Sequence, residues 1–302
     1  MVADVLSITR EWGDMTNDTS SSAGHEGLFA DILNMASLTK SQRRVAEALS
    51  HNPQMIAFAD TAEVARRAGV NNSTVVRTAQ ALGYRGWPDL QRELRSLYLT
   101  SISTEDTLIE HGPYHSPLHQ ALERDIANLR HAGESNSEAD AEAAVELLAG
   151  ATRILVFGLG SFAGPATVLA HLGKTMGYNI SHEGRGSVHI ASAMNDVGEG
   201  DVVVIINLWR TIGQLRGAAA AARAAGARVL VITDMRRGLL SEIADHVLIV
   251  PSEGVSFFQS ITATTSLVYG LLAGMEAAHP ERSRKALRRT QLLWKDLDIY
   301  LD

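Results

Sequence analysis

The stretch Thr61 to Leu82, TAEVARRAGVNNSTVVRTAQAL, constrains the fold more tightly than any other part of the chain. It reads as two short helices meeting at a tight turn. In the first, Val64, Ala65 and Ala68 fall at helical spacing, with Arg66 and Arg67 pointing elsewhere. Gly69 ends that helix, because glycine takes the left-handed dihedrals of the position after a helix without steric penalty. Asn71 stands where the next helix wants a capping acceptor. In the second helix Val75, Val76, Ala79 and Leu82 share one arc, and Ser73, Thr74, Arg77 and Gln80 share the other. The small Ala65 allows a close crossing. This is the pattern of a helix-turn-helix, whose second helix, near Asn72–Leu82, would present short donors, an amide and an arginine to a DNA major groove.

Helical hairpins with an alanine and a glycine turn also occur in proteins that bind no DNA, so the flanks matter. Upstream, Leu38 to Asn52 (LTKSQRRVAEALSHN) reads as an amphipathic helix with Lys40, Arg43 and Arg44 in its first turns. Cations there oppose the helix dipole, and phosphate is the partner that would want them. Downstream come Tyr84, Arg85, Trp87, Arg92 and Arg95. The ordered set LTKSQRRVAEAL, then TAEVARRAGVNNSTVVRTAQALGYRGWPDLQREL, resembles the N-terminal domain of the RpiR/MurR-type transcriptional regulators over about residues 26 to 100. The resemblance implies an all-α domain of five helices. On the helix arcs and flanks, Asn72, Ser73, Thr74, Arg77 and Gln80 are the expected base- or phosphate-facing set, and Lys40, Arg43, Arg44, Arg85 and Arg92 the expected backbone contacts.

The net charge of −7 argues against a nucleic-acid partner until it is divided along the chain. Residues 26–100 carry nine Lys/Arg against seven Asp/Glu, or +2, which leaves −9 for the rest. A mildly basic head on an acidic body suits a regulator whose second domain binds something else. No cysteine is present among the 302 residues, so disulfides and thiolate chemistry are excluded. No signal-like segment and no apolar run of membrane-spanning length is visible, and the expected setting is the cytoplasm.

Residues 1–25, with NDTSSSAGHEG, read as a mobile tail, and Ser101 to Pro117 reads as a linker. His111, His115 and His119 have metal-like spacing, but Pro113 and Pro117 interrupt the helix that would align them, and no metal site is expected. Leu118 to Ala149 reads as helical, with a possible role against a partner subunit. From Thr152 strands and helices alternate: Arg153–Gly158, Tyr178–Ser181, Asp201–Ile206, Arg228–Thr233 and His246–Val250 are the strands. Helices are expected at Phe162–Met176, Ile212–Ala225, Phe257–Ala278 and Glu281–Tyr300. Continuous apolar strands alternating with helices imply a doubly wound parallel α/β sheet over residues 118–302.

In such a sheet ligands bind at the carboxyl ends of the strands. Three loops have suitable chemistry: Gly158-Leu159-Gly160-Ser161, Asn207-Leu208-Trp209-Arg210-Thr211, and Thr233-Asp234. The first can bring backbone N–H groups to an anion, though tight strand–helix packing also wants glycine. These loops, with DVVVII, RVLVITD and ADHVLIVPSEGVSFFQSITA, resemble the sugar isomerase (SIS) domain, the phosphosugar-binding second domain of the same regulators. By that resemblance Gly158, Gly160, Ser161, Asn207, Arg210, Thr211 and Thr233 would hold the effector, with no cofactor and no catalytic residue. The sequence departs from the family where S-x-S-G-x-T is expected: Asn207, Trp209 and Arg210 stand there, so the pocket suits another anion, a sugar acid, or no ligand. Trp209 reads equally as a packing residue. Glu183, Arg185 and His189 read as a solvated loop, and the spacing of His171, His182, His189 and Glu253 marks no acid–base pair.

The reading is a regulator that binds double-stranded DNA as a homodimer or homotetramer on a palindromic operator, controlled by a small anionic metabolite and free of any membrane. Its rivals are a SIS-type sugar-phosphate isomerase or etherase, and a regulator whose SIS domain serves only oligomerisation.

Overall fold

The computed structural model describes residues 38–51, 53–111 and 115–300. The expected tail at residues 1–25 lies outside these. The chain divides into two compact units, Met1–Ser103 and Thr104–Asp302.

The described part of the first unit is all-helical: α1 (Lys40–His51), α2 (Pro53–Phe58), α3 (Thr61–Ala68), α4 (Asn72–Ala81) and α5 (Trp87–Ser101). Local chemistry starts and stops these elements. Thr39 and Gln42 form a reciprocal capping box before α1, the Gln42 carboxamide oxygen accepting from the Thr39 amide at 2.9 Å. The Asp60 carboxylate accepts from the Glu63 amide (2.8 Å) to open α3, and Gly69 closes it at φ 60°, ψ 42°. Gly83, at φ 91°, ends α4 in the same way, with Tyr84 donating back to the Ala79 carbonyl (3.0 Å). Helices α1, α3 and α4 pack on one another, and α5 packs against α2 and α4. Val45, Leu49, Val64, Val75, Ala79 and Leu82 fill the centre.

One feature of this core departs from the expectation. Thr78 is fully buried where Val76 was expected, and its hydroxyl donates to the Thr74 carbonyl (2.7 Å), which satisfies the one polar atom it brings inside. Tyr84 and Trp87, noted downstream of the motif, are 4% and 2% exposed. The Trp87 indole N–H donates to the Ala59 carbonyl at 3.3 Å, and the Gln91 side chain reaches the same oxygen, so α5 holds the chain just ahead of the α3 cap. Both aromatic groups belong to the core of the unit.

The second unit begins with α6 (Thr104–His111), a short helix inside the segment read as a linker, and the two prolines of that segment lie beyond its end. α7 (Pro117–Ser135) and α8 (Glu138–Gly150) follow, the latter opened by a Ser137–Asp140 capping box. Then come β1 (Arg153–Gly158), a 3-10 turn (Gly160–Phe162), α9 (Ala163–Thr175), β2 (Ile180–Glu183), α10 (Ser187–Met194) and β3 (Asp201–Ile206). The unit is completed by α11 (Gly213–Ala224), β4 (Arg228–Thr233), β5 (His246–Ile249), α12 (Thr262–Ala278) and α13 (Pro280–Asp296). β2 starts two residues later than expected, because Tyr178 turns into the core and donates its hydroxyl to the Met275 carbonyl (2.7 Å). α10 stands where a solvated loop was expected, and α12 starts five residues late. The Ser252–Ser260 loop doubles back there, Ser260 donating to the Ser252 carbonyl (2.8 Å).

All five strands are parallel, in the order β2-β1-β3-β4-β5. Side chains alternate between two cores. Ile154, Val156, Val202, Val204, Leu230 and Ile232 meet α8, α9 and α12; Leu155, Phe157, Val203, Ile205, Val229 and Val231 meet α10 and α11. The chain leaves β1 for β2 on one side and returns to β3 on the other, so the strand order reverses between β1 and β3. Helices α9 and α11, which follow those strands, lie on opposite faces. A crevice opens between them at Gly158 and Ile206, which are paired in register.

Because Trp87 is wholly packed, Trp87→Ala should lower the stability of the first unit by about 3–5 kcal/mol. Urea unfolding followed by far-ultraviolet circular dichroism checks this: the helical signal of the first unit should be lost at lower denaturant than in the parent chain.

Candidate functional site

The first candidate surface is the exposed arc of α4. Its opening turn is organised by one carboxamide oxygen: Asn71 Oδ1 lies 2.9 Å from the Thr74 amide, 2.8 Å from Ser73 Oγ and 2.7 Å from Thr74 Oγ1. Three donors surround an oxygen with two lone pairs, so one hydroxyl remains able to donate outward. Arg77 lies back along the helix, with Nε 3.2 Å from the Ser73 carbonyl and Nη2 3.0 Å from Ser73 Oγ. Asn72, Ser73, Arg77 and Gln80 are exposed and Thr74 is half-buried. The structure therefore brings the five sequence-derived residues onto one polar face.

Lys40 and Arg43 are exposed beside that face. Gln42, between them in sequence, donates from Nε2 to the Arg77 carbonyl (3.3 Å) and so ties α1 to α4. Nothing in the sequence pattern singled out Gln42 for this contact; its signal was the T-x-x-Q spacing of a capping box. Arg44, expected to contact phosphate, donates to the Gly69 carbonyl and braces the turn between α3 and α4. Arg92 pairs with Asp89 (2.9 Å), which also accepts from the Arg85 amide (3.2 Å); the Arg85 side chain is exposed. Arg66 and Arg67 both engage Glu63. The cations most open to an anion are thus Lys40, Arg43, Arg77 and Arg85.

The second candidate is the β1/β3 crevice. Gly160 sits at φ +59° with open space where a side chain would be, and Ser161 is exposed in the turn that leads into α9. Gly158 serves the strand–helix approach instead, since a Cβ there would run into the Phe162 carbonyl and Ala166. Asn207 was expected to donate to a ligand, and the structure corrects this. Its Nδ2 donates to the Arg210 carbonyl (3.0 Å), and its Oδ1 accepts from the Ile212 amide (3.0 Å), closing the loop on itself at 2% exposure. Thr233 is likewise buried and accepts from the Met235 amide (3.4 Å), turning the chain after β4.

Trp209 and Arg210 fill the loop between. Trp209 adopts φ 68°, a left-handed conformation that a bulky residue takes at a cost, and its amide is held by both oxygens of Asp234 at 3.0 and 3.1 Å. The same carboxylate accepts from Ser252 Oγ at 3.0 Å, so Asp234 couples the ends of β3, β4 and β5. The Arg210 guanidinium lies 4.7 Å over the Trp209 ring. The groups left facing outward in these loops are Gly160, Ser161, Arg210 and the half-buried Thr211. The role of Asp234 was not anticipated, because a carboxylate serving a neighbouring loop leaves no local pattern.

At the end of β2, His182 places Nε2 3.0 Å from the Gly158 carbonyl and Nδ1 3.1 Å from Thr167 Oγ1. Glu183, expected in a solvated loop, is 8% exposed and chelated by Arg185 through Nε (3.0 Å), Nη2 (2.5 Å) and the backbone amide (2.8 Å). Those hydrogen bonds hold its carboxyl at about 2 rather than 4.5, against the upward push of burial. Glu253 pairs with Arg124 at 3.1 Å. No group of three or more His, Cys, Asp or Glu that could hold a metal occurs among the described residues.

Comparison with known proteins matches residues 28–101 to the helix-turn-helix domain of the rpiR family and residues 147–273 to the SIS domain. The HTH-type transcriptional regulator HexR of Escherichia coli K12 is 27% identical over 272 residues, which cover 86% of this chain and 91% of HexR. The bifunctional protein glk of Paraburkholderia xenovorans is 26% identical over 223 residues. That match takes in 72% of this chain but only 35% of glk, so the chain spans about a third of that relative. Among solved structures, the sugar isomerase domain of an RpiR transcription factor from Sphaerobacter thermophilus superposes with a TM-score of 0.56 at 27% identity. It covers 58% of this chain and 97% of that domain. The Vibrio vulnificus NanR protein, solved as a complex with ManNAc-6P, superposes with a TM-score of 0.58 at 19% identity over 89% of this chain and 98% of NanR, a likeness of fold.

A carboxyl whose pKa is depressed on folding stabilises the fold above its unfolded pKa and ceases to do so as pH falls through the folded value. Thermal stability should therefore fall as pH is lowered from 4.5 towards 2, and Glu183→Gln should flatten that slope. Melting curves of the two proteins across this range decide the point. An rpiR-family helix-turn-helix domain joined to a SIS domain, in one chain aligned over most of HexR, places this protein in the RpiR-type family of transcriptional regulators.

Proposed function

We propose that the chain controls transcription by binding double-stranded DNA through α4, and that a small anionic metabolite in the β1/β3 crevice alters this binding. The observation that carries the first half is the polar arc Asn72, Ser73, Thr74, Arg77 and Gln80 on a helix pinned by Asn71, with Lys40 and Arg43 alongside. Such a face can hydrogen-bond to base edges while neighbouring cations meet phosphates. One short helix buries too little DNA for tight specific binding, so the reading includes a homodimer or homotetramer on a palindromic operator with half-sites roughly 10 bp apart or a multiple of it. No described helix is long and apolar enough to cross a membrane, in keeping with a cytoplasmic regulator.

The second half rests on the crevice. Open backbone at Gly160, the Ser161 hydroxyl, Thr211 and the Arg210 guanidinium suit a phosphate or carboxylate, and a phosphosugar or sugar acid is the ligand class that fits. The ManNAc-6P bound by NanR belongs to that class. Catalysis is not part of this reading: His182 is bonded to Gly158 and Thr167, and Glu253 to Arg124, which leaves both engaged in structure. A second reading, a SIS domain kept for oligomerisation alone, is favoured by one specific observation. The Asn207–Thr211 loop closes on itself, and Arg210 lies on Trp209 rather than over open space.

Arg77→Ala should weaken operator binding by about 1–3 kcal/mol if Arg77 reads a base, whereas loss of a phosphate contact alone would weaken all sequences alike. Titration of operator and scrambled duplexes at fixed salt separates these cases, and unchanged binding to both would remove Arg77 from the face. For the crevice, the melting temperature of the full chain is measured with inorganic phosphate, a panel of sugar phosphates and a panel of sugar acids. A ligand that raises it should also change operator affinity, and Ser161→Ala should reduce both effects. Gly160→Asn tests the same loop with little strain, since asparagine tolerates the left-handed backbone there better than other side chains do. Absence of stabilisation by every compound would favour the oligomerisation reading.

A further inference from the structure

The last described helix is packed against its own domain at one end only. At the start of α13, Ser283 is buried, Arg282 lies 4.7 Å over the Tyr178 ring, and Ala286 stands against Gly177. Ser283, Ala286, Thr290 and Trp294 recur every three or four residues and define the inward stripe. Leu287, Leu293 and Leu297 border the same stripe further along the helix, yet they are 39%, 48% and 67% exposed. The apolar face outruns the surface that covers its beginning. A stripe at this spacing is what a helix lays against a second apolar surface.

A matching surface exists on the same unit. Leu118, Leu122, Ile126 and Leu129 of α7 follow at intervals of four, four and three, and are 75%, 55%, 49% and 37% exposed. The adjoining side of α7 holds the domain, through Asn128, which donates to the Glu253 carbonyl (2.9 Å), and through the buried Ala132. Isolated exposed leucines need no explanation, but two continuous stripes on one domain do.

Charge says what covers them. α13 carries six Lys/Arg against two acids, whereas α7 and α8 together carry seven acids against two arginines. Arg288 and Arg289 of α13 are exposed outside its apolar stripe, as are Glu123 and Glu134 of α7 outside theirs. Apolar stripes of similar pitch with flanks of opposite sign form a complementary pair. α7 and α13 do not pair within one chain: α7 packs on α12 and β5, and α13 on α9 and α12.

We propose that α13 of one chain docks along α7 of a second copy, and α7 receives α13 in return, to make a closed two-fold dimer. The contact is reciprocal because each chain offers both surfaces. This deepens the dimeric reading given above and rests on it, by naming the surface that joins the copies.

Sedimentation equilibrium of the full chain, with circular dichroism to verify folding, tests the assignment. The wild type should sediment as two chains, and added salt should weaken the association. Arg288→Glu with Arg289→Glu should weaken it at least about tenfold through like-charge contact, and so should Glu123→Lys with Glu134→Lys. Mixing the two variants should restore a dimer of one copy of each, because both of its α7–α13 contacts then join opposite signs, which loss of folding would not produce. Two-chain mass retained by both variants would overturn the α7–α13 contact and leave the dimeric regulator standing. A single-chain wild type would overturn both. Unchanged mass with loss of operator binding in the arginine variant would instead assign α13 to DNA phosphates and also overturn the proposal.

Discussion

The second domain depends on β1 and β3 being buried on both faces. Every residue of β3 is buried, and β1 is exposed only in part at Arg153. Arg153 finds its partner in Asp201 across the register, at 2.6 Å. Parallel strands cannot be joined by a tight turn, so each crossover lays a helix on one face or the other. Since both faces must be covered, the chain sends α9 to one and α11 to the other, and the crevice follows from that division. The closeness of α9 to β1 is one that only a glycine at 158 permits.

The helical head relies instead on short-range hydrogen bonds. Asp60, Asn71 and Thr39 each cap a helix, and each such cap contributes about 1 kcal/mol. Helices of eight and ten residues would be marginal alone, and they hold through Val64, Ala68, Val75 and Leu82 at their crossing. The cross-links that aim the motif are longer in range. Arg44 reaches the turn, Gln42 reaches α4, and Trp87 reaches the residue before the α3 cap. A polar face is useful for recognition only if it is held still, and these three contacts hold it.

The loop after β3 is held by contacts within its own unit. A residue as large as Trp209 in a left-handed conformation must be restrained, and Asp234 restrains it through the backbone amide. Arg210 then has an aromatic plane to lie on, while Asn207 closes the loop beneath. A ligand that works as an effector here must interact unequally with the arrangements the chain can adopt, since equal affinity shifts nothing. Drawing Arg210 off the tryptophan is one such unequal interaction that this geometry makes available.

Much of the fold was legible in the sequence, because its signals are local. Gly69 and Asn71 mark a turn and a cap whatever surrounds them, and RILVFG, DVVVII and RVLVIT are too continuously apolar for anything but buried strands. The polar arc of α4 was legible for the same reason, since helical spacing alone assigns it a face. What a side chain touches across the fold was not. Asn207 and Thr233 read as ligand donors but direct their hydrogen bonds to their own loops, and Arg44 directs its charge to a carbonyl. Glu183 looks solvated and is chelated. Composition and periodicity determined the two domains, the strands and the polar face of α4, whereas tertiary structure alone decided which polar groups stay exposed, because a hydrogen bond or charge already satisfied inside the fold leaves no trace in the order of residues.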